Sequence, residues 1–334
     1  MTIRERQERE EEARLSPYAA LSSRSAGRAH PISVCDLRTC YQRDRDRIIH
    51  CKSFRRLKYK TQVFLTPMGD HYRTRLTHTL EVSQVARTLA RSLRLNEDLT
   101  EAAALGHDLG HTPFGHIGEN TLNRLLPGGF RHNEQSLRVA ERLENDGAGL
   151  NLCRETLDGI LNHSGQNEPK TLEGWCVRRA DRIAYINHDI DDAIRGGILK
   201  PFELPRRCLS VLGETHGERI DTMIRDIVTT SADQPFVRMS AEVQQASDEL
   251  RAFLFEYVYH DEWRKKEEAR CDYILTALYE HYLAHPEQLP AEYLEINFTE
   301  GAERAVCDFI ACMTDRYAID QFSEIFVPGA FGRR

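Results

Sequence analysis

The sequence predicts an all-α protein. Apolar residues recur three and four positions apart through most of the 334 residues, whereas the alternation typical of strands is scarce. Glycine and proline fall between the periodic stretches, as expected of connections between helices. Three apolar stripes are clearest, namely Val82, Val85, Ala86, Leu89 and Leu93, then Leu99, Ala102, Ala103 and Gly106, then Ile183, Ile186, Ile190 and Ala193.

The first of these three helices is predicted to begin at Thr77, a suitable N-cap with Glu81 in the first turn. His78 shares the face of Val82 and Val85, so its imidazole is expected to point inward. A single inward histidine is more often a hydrogen-bonded core residue than a metal ligand. Both interpretations stay open for His78 alone.

The second helix is short and is predicted to stop at Gly110, with His107 and Asp108 at its end. Adjacent side chains on a helix diverge by about 100°, so this pair does not interact directly, but at a helix end both can lean toward one external point. A cation at that point would explain the pair. The alternative is a C-cap histidine beside a solvated acid.

The third helix is predicted over residues 175–194. Its polar stripe of Asp181, Tyr185, Asp189 and Asp192 is either a ligand-bearing face or an exposed one. Burying His78, His107, Asp108 and Asp181 without a cation or hydrogen-bond partners would cost several kcal/mol. The four together therefore indicate a metal-dependent hydrolase. Two imidazoles and two carboxylates suit a divalent metal such as Mn, Fe, Zn, Co, Ni or Mg, without selecting one.

The rest of the chain continues the helical pattern. Residues 1–30, rich in Glu and Arg, are expected to form an arm that is solvated or ordered by a partner subunit, and residues 31–334 a single domain. Further helices are predicted at 137–145, 153–162, 215–229, 239–259, 262–284 and 299–317.

Composition predicts a soluble, cytoplasmic protein with no membrane association. Hydrophobic residues make up 40% and charged residues 29% of the chain, and no apolar run approaches the roughly 20 residues of a membrane span. Nine cysteines without a C-x-x-C pair argue against a disulfide framework. These thiols are expected to be reduced and mostly buried.

The net charge of −7 is unevenly distributed, because residues 41–94 carry thirteen Lys or Arg against four Asp or Glu. A local cationic surface on an anionic protein suits a small polyphosphate ligand or a limited nucleic-acid patch better than general duplex binding. For any one of these residues the simpler interpretation is a solvated helix face.

Six stretches of the sequence resemble, in order, the deoxyguanosine triphosphate triphosphohydrolase family of the HD-domain superfamily. Cys40, Tyr41, Cys51 and Cys312 depart from the residues expected there. The stretches are QRDRDRIIHCKSFRRLKYKTQVF (42–64), GDHYRTRLTHTLEVSQVARTLA (69–90), GHDLGHTPFGHIGE (106–119), FRHNEQS (130–136), RRADRIAYINHDIDDA (178–193) and MTDRYA (313–318).

The resemblance implies an HD-domain helical bundle, with its core at about 70–195 and additional C-terminal helices. It also implies metal binding by His78, His107, Asp108 and Asp181. The implied reaction is hydrolysis of dGTP or several dNTPs to a deoxynucleoside and inorganic triphosphate. A homo-oligomer and a nucleotide effector are implied too, and weak single-stranded nucleic-acid binding is a further expectation.

His116 and Glu119 lie three residues apart on one helix face, which by spacing alone fits a surface ion pair. By resemblance they form a catalytic dyad that protonates the leaving 5′ oxygen, and His111 contacts the α-phosphate. His132 and Glu134 are weaker candidates.

Substrate contacts are predicted from charge and position. Tyr185, one turn beyond Asp181, either packs the helix or, as the resemblance implies, excludes a 2′ hydroxyl, and Asp189 is a further predicted contact. The residues expected to hold phosphates of the substrate or of an effector are Arg43, Arg45, Arg55, Arg56 and Lys60.

Two alternatives remain open. One is another HD phosphohydrolase, acting on nucleoside monophosphates, cyclic dinucleotides or alarmones. The other is a nucleotide-sensing or single-strand-binding protein with an idle HD centre, against which the intact set of His116, Glu119 and metal-binding residues argues.

Overall fold

The predicted fold class is confirmed by a computed structural model that describes residues 1–62, 73–257 and 262–329. These residues form helices joined by short connections, with two isolated β-bridges in place of a sheet. The helices are α1 (Ile3–Arg14), α2 (Cys40–His50), α3 (Lys52–Arg56), α4 (Arg75–Ser92), α5 (Glu97–Gly106), α6 (His116–Leu125), α7 (His132–Arg138), α8 (Arg154–Leu161), α9 (Leu172–Arg195), α10 (Arg206–Leu212), α11 (His216–Ser231), α12 (Ala241–Tyr257), α13 (Glu262–Ala284), α14 (Ala291–Glu300), α15 (Ala302–Cys312) and α16 (Asp315–Phe326).

Two hydrophobic clusters organise the fold. The first surrounds α9 and joins it to α4, α5 and α10–α12, and the second joins α6 to α13–α16. A smaller cluster packs α2, α3 and α8 against the buried side of α5. The long helix α9 is therefore packed on several sides, and α6 faces it from the second cluster.

Helix α4 begins earlier than its sequence pattern indicated. Thr74, not Thr77, is the N-cap, and its hydroxyl accepts a hydrogen bond from the Thr77 N–H at 3.5 Å. The Thr77 hydroxyl instead donates to the Thr74 carbonyl at 2.8 Å, inside the first turn. Either threonine offers a capping oxygen, so the local pattern alone did not decide between them.

Helix α5 stops at Gly106, and His107 is its C-cap. The predicted end at Gly110 was wrong because that glycine has a packing role. A Cβ at Gly110 would lie 2.1 Å from the Ser136 nitrogen of α7. His107 and Asp108 therefore lie in the turn that leaves α5, where both side chains face away from the helix.

The predicted helix at 299–317 is three helices. Gly301 has a φ of +95° and separates α14 from α15, since a helix cannot continue through a positive φ. Met313 is extended, and the Thr314 hydroxyl then caps α16 by accepting from the Tyr317 N–H. Residues 258–259 of the helix predicted at 239–259 lie outside the described residues, as do residues 63, 64 and 69–72 of the family motifs.

The predicted solvated arm is partly anchored by this chain itself. No residue of α1 is buried, but Glu11 accepts hydrogen bonds from the Ser22 N–H and hydroxyl, both at 2.8 Å. The Ala20 N–H donates to the buried Glu173 carboxylate of α9 at 3.0 Å. Contacts within one chain thus order a segment for which a partner subunit had been considered.

All nine cysteines are free thiols and seven of them are buried, which confirms that most are buried. Within the described parts of the chain, no helix has the length and apolarity needed to cross a membrane.

Candidate active site

A cavity of about 1140 Å³ opens between α4, α6, α9, α12 and α13. The end of α5 forms its floor and α6 and α9 form two walls, so it lies where the two hydrophobic clusters meet. His78, Asp108, His111, His116, Asp181 and Tyr185, all singled out from the sequence, line it.

The four predicted metal ligands converge at the floor of this cavity. His78 Nε2 lies 3.1 Å from Asp181 Oδ1, and His107 Nε2 lies 3.6 Å from Asp108 Oδ1 and 3.9 Å from Asp181 Oδ1. His78, His107 and Asp108 also form a group whose ligand atoms lie within 4.8 Å of one another. Three helices thus bring the four side chains to one point.

The hydrogen-bond directions at this point suit a cation. His107 Nδ1 lies 2.6 Å from the Ala104 carbonyl, so Nδ1 carries the proton and Nε2 presents a lone pair. That Nε2 is buried without a hydrogen-bond partner and faces carboxylate oxygens of Asp108 and Asp181. Facing lone pairs in a buried cluster repel one another unless a positive charge lies among them. The residues present therefore fit a divalent metal.

Arg75 supports the cluster from α4. Its Nη1 donates to Asp108 Oδ2 at 2.7 Å and its Nη2 to the Gln62 carbonyl at 3.1 Å. Burial opposes ionisation of Asp108, but the Arg75 guanidinium beside it holds the pKa of its carboxyl well below the usual range. Asp108 is thus a carboxylate with one oxygen held by Arg75. The sequence analysis missed Arg75, although it lies one turn before His78.

His116, at the start of α6, is 59% exposed and faces the cavity. Its Nδ1 lies 3.4 Å from Glu119 Oε2, and the other oxygen of Glu119 accepts from His132 Nδ1 at 2.8 Å and from the His132 N–H at 2.9 Å. Burial opposes ionisation of Glu119, but the field of His132 and hydrogen bonds from both histidines lower its pKa far below normal. Glu119 is therefore a shared carboxylate between two imidazoles.

His132 is more closely built into the site than its sequence pattern indicated. Its ring stacks on that of His111 with centroids 4.7 Å apart, and burial lowers the pKa of the His111 imidazole. Burial alone would lower the pKa of His132 too, but the adjacent Glu119 carboxylate raises it. The sequence gives no comparable role to Glu134, which does not line the cavity.

Tyr185 and Asp189 differ in placement. Tyr185 lines the cavity one turn along α9 from Asp181, and its hydroxyl is buried without a hydrogen-bond partner. Burial raises the pKa of this hydroxyl to about 12, so it stays protonated. Asp189 is buried farther along α9 and does not line the cavity.

The five basic residues predicted to hold phosphates of the substrate or of an effector lie outside the cavity lining. Arg45 pairs with Asp46, Asp98 and Glu101, and Arg56 with Glu144. Arg43 and Arg55 donate to the carbonyls of Ser33 and His50. Lys60 is buried beneath the site and donates to the carbonyls of His111 and Ala311. The basic residues that do line the cavity are Arg75, Arg124, Arg178, Arg182, Arg251 and Lys265.

Two of these cavity residues had a sequence signal. Arg178 and Arg182 bracket Asp181 on α9, and helical spacing brings them to the face that carries Tyr185. Arg251 and Lys265 come from α12 and α13, far along the chain, and nothing near them in the sequence links them to the metal-binding cluster. The departures Cys40, Tyr41, Cys51 and Cys312 are absent from the cavity lining.

Comparison with known proteins identifies the family. The HD domain matches residues 75–186, and a phosphohydrolase-associated domain matches residues 237–324. A deoxyguanosinetriphosphate triphosphohydrolase-like protein of Caldanaerobacter subterraneus subsp. tengcongensis is 58% identical over 98% of this chain and 97% of its own. The chain belongs to the deoxyguanosinetriphosphate triphosphohydrolase-like family. Similarly named relatives from Clostridium perfringens and Geobacter sulfurreducens are 51% and 42% identical, over 98% and 95% of this chain and 98% and 96% of theirs.

Family membership confirms the resemblance found in the sequence. The HD match covers α4 to the middle of α9, and so contains all four predicted metal ligands together with His111, His116, Glu119 and Tyr185. The associated-domain match covers α12 and α13, which contribute Arg251 and Lys265 to the cavity. The cavity is therefore lined from both matched regions of a hydrolase family.

Proposed function

We propose that the protein is a metal-dependent hydrolase of deoxynucleoside triphosphates that releases a deoxynucleoside and intact inorganic triphosphate. One observation carries the proposal: a metal-type cluster, a partly exposed His116 with its carboxylate partner, and a basic wall share one cavity. Phosphoryl transfer needs a cation near the attacked phosphorus, a proton for the leaving oxygen and positive charge for the remaining phosphates.

His78, His107, Asp108 and Asp181 would hold the metal, and its identity remains open. When bound, the metal supplies positive charge that stabilises the attacked α-phosphoryl group. Arg75 keeps one oxygen of Asp108 occupied, so Oδ1 is left to face the cation.

The protein's own side chains perform the rest of the chemistry. A water oxygen bonds to the α-phosphorus and releases a proton to solvent, while the bond from phosphorus to the 5′ oxygen breaks, so the oxygen from water leaves with the triphosphate. His116 donates a proton to the departing 5′ oxygen, and Glu119 holds the His116 ring in place through Nδ1. His111, whose Nδ1 is buried without a partner, lies beside His116 and contacts the α-phosphate.

The outer phosphates lie toward Arg182, Arg251 and Lys265. Arg182 has a distant acidic partner, Asp248 at 3.9 Å, so its guanidinium is weakly engaged within the protein. Arg178 is less suited, because it donates to the carbonyls of Gly165 and Asn162 at 2.6 and 3.3 Å. Tyr185 then packs against the deoxyribose and leaves no room for a 2′ hydroxyl.

Incubating the protein with each of the four dNTPs and with Mn²⁺, then separating the products, tests the proposal. Inorganic triphosphate and deoxynucleoside are expected in equal amounts. Orthophosphate or pyrophosphate as the product would instead support another HD phosphohydrolase, and binding without turnover would support a nucleotide sensor. Asp108→Asn is the inactive control, since its amide oxygen still accepts from Arg75.

The remaining expectations rest on the family and on the composition and charge of the chain. We infer a homo-oligomer, a nucleotide effector, weak binding of single-stranded nucleic acid and a cytoplasmic location. Each of these stays a prediction.

A further inference from the structure

A third histidine extends the hydrogen-bonded chain beyond His132. His163 follows α8, is 2% exposed and lines the cavity. Its Nε2 lies 3.2 Å from His132 Nε2, and its Nδ1 lies 2.7 Å from the Ile160 carbonyl. The chain therefore runs from His116 through Glu119 and His132 to His163.

The directions of these hydrogen bonds follow from the end of the chain. A carbonyl oxygen only accepts, so His163 Nδ1 carries a proton and donates to Ile160. Two facing Nε2 atoms at 3.2 Å need one proton between them. His132 Nδ1 faces a Glu119 oxygen at 2.8 Å and must also donate.

The proton between the two Nε2 atoms belongs to His132. A positive His132 lies next to the Glu119 carboxylate, at 2.8 Å, whereas the hydrogen bonds of His163 are to a neutral carbonyl and to His132 itself. His163 is thus the neutral acceptor and His132 donates from both ring nitrogens.

We propose that His163 is a positioning residue, whose Nε2 accepts the proton of His132 and so holds His132 as the doubly donating partner that fixes Glu119 beneath His116. The inference rests on the proposed function for its kinetic consequences but not for its proton positions. Without this acceptor, His132 Nε2 keeps the Ser164 hydroxyl, at 3.3 Å, as a partner, so the His132 ring is held less firmly and loses a proton more easily. Glu119 then loses the partner that orients it, and His116 loses its fixed ring position.

Two substitutions of His163 distinguish its proposed role as a hydrogen-bond acceptor from a role in packing. His163→Leu fills similar space without an acceptor, whereas the amide oxygen of His163→Gln reaches the position of Nε2 and restores one. A matched control is His188→Gln, because His188 is also buried edge-on against a proposed metal ligand, His78, at 5.8 Å, but its Nε2 lies 3.1 Å from Glu81 Oε2 and not in the chain from His116 to His163. Each variant is assayed as the full, metal-loaded chain with dGTP.

We expect His163→Leu to lower kcat by tenfold or more while KM and metal per chain stay within twofold. His163→Gln should recover kcat to within about threefold, and His188→Gln should leave kcat within twofold. Equal loss in the Leu and Gln variants, a rise in KM alone, or loss of metal from both would overturn the inference, since each indicates packing or substrate contact.

A second measurement does not need turnover. Nitrogen-15 NMR of histidine-labelled protein should show both ring nitrogens of His132 protonated in the native chain, and a changed state of His132 in His163→Leu. A neutral His132 in the native chain contradicts the inference even if dNTP hydrolysis is confirmed. Absence of triphosphate release from the native chain would contradict the proposed function while the NMR result still decides the role of His163.

Discussion

Arg75 and Asp108 form a buried ion pair, with Nη1 of the arginine 2.7 Å from Oδ2 of the aspartate and both side chains at most 4% exposed. Their positions in the chain are 33 residues apart, on α4 and just after α5. The pair therefore joins two of the three segments that supply the proposed metal ligands, and it leaves Asp108 Oδ1 turned toward His107 at 3.6 Å.

Removing the Arg75 guanidinium tests whether a bound cation can stabilise the buried Asp108 carboxylate in its place. Arg75→Met leaves the Asp108 carboxylate buried without its partner, which typically costs about 3 kcal/mol in the free energy of unfolding. We expect this loss in metal-free protein and a smaller loss at saturating Mn²⁺, because a cation on Oδ1 neutralises the same charge. Denaturant titrations with chelator and with metal measure both. Equal losses under the two conditions would contradict metal binding by Asp108.

His116 is expected to act in the reaction without holding the metal. His116→Ala should retain its metal and its affinity for dGTP but lose about 10² in kcat, since the leaving 5′ oxygen then lacks its proton donor. Metal analysis, equilibrium binding and single-turnover rates check the three quantities. His285→Ala is the matched control, because His285 is also half-exposed and lies 3.4 Å from a glutamate, Glu287, outside the cavity. An unchanged kcat in His116→Ala would indicate that His116 and Glu119 form a surface ion pair with no part in the reaction.

Tyr185 is expected to select the sugar. A ring that excludes a 2′ hydroxyl gives discrimination on the order of 10²-fold, so Tyr185→Ala should narrow the ratio of kcat/KM for dGTP over GTP. Tyr185→Phe keeps the ring and should keep the ratio, since the hydroxyl has no hydrogen-bond partner to lose. Steady-state kinetics with dGTP and GTP measure this ratio of kcat/KM for each variant. If Tyr185→Ala folds, is active and retains the native ratio, selection resides elsewhere.

Arg182 is expected to bind the outer phosphates. Contacts to the outer phosphates change little between the bound substrate and the transition state, so Arg182→Gln should raise KM for dGTP about tenfold and change kcat less than threefold. Initial rates over a range of dGTP measure both constants. Arg225→Gln is the control, because Arg225 is exposed on α11 and pairs only with Asp221 one turn before it. A similar KM in the two variants would remove Arg182 from the phosphate site.

Lys60 makes stability depend on pH. Its complete burial lowers the pKa of the amine to about 7, against 10.5 in an unfolded chain. Between these values the unfolded chain binds the extra proton, so stability should rise with pH by about 1 kcal/mol per unit from pH 7 toward 10. Below pH 7 both forms are protonated and this contribution is flat. The neutral amine still donates to the His111 and Ala311 carbonyls.

Denaturant unfolding of native protein and Lys60→Met at pH 7, 8 and 9 measures the effect as a difference between the two curves. Subtracting the variant removes the titration of every other group. The difference should grow in favour of the native chain as pH rises. Parallel curves would show that Lys60 keeps its proton in the folded protein.

The all-α fold class and the cluster of proposed metal ligands could be predicted from the spacing of residues along the chain. Each of α4, α5 and α9 carries an apolar stripe strong enough to place His78, His107 and Asp181 relative to their own helix. The exact helix boundaries could not be predicted from the sequence. The start of α4 depends on which of Thr74 and Thr77 caps its first turn, and the end of α5 depends on how closely Gly110 approaches α7.

The five basic residues expected to contact phosphates lie outside the cavity lining, for a different reason. Counting charges along residues 41–94 ignores acids supplied from elsewhere, and Arg45 lies against Asp98 and Glu101 of α5. The segment is therefore less cationic in the fold than along the chain. Arg251 and Lys265 reach the cavity only through the packing of α12 and α13, which no pattern near His107 or Asp181 encodes.

The cavity divides its lining between two parts of the chain, with the reactive groups ahead of residue 195 and Arg251, Phe255 and Lys265 from beyond residue 237. We expect substitutions on α12 and α13 to alter what the cavity admits without moving the proposed metal ligands, because those side chains are fixed by α4, the end of α5 and α9. Members of the family that differ on α12 and α13 can therefore accept different substrates while catalysing the same reaction.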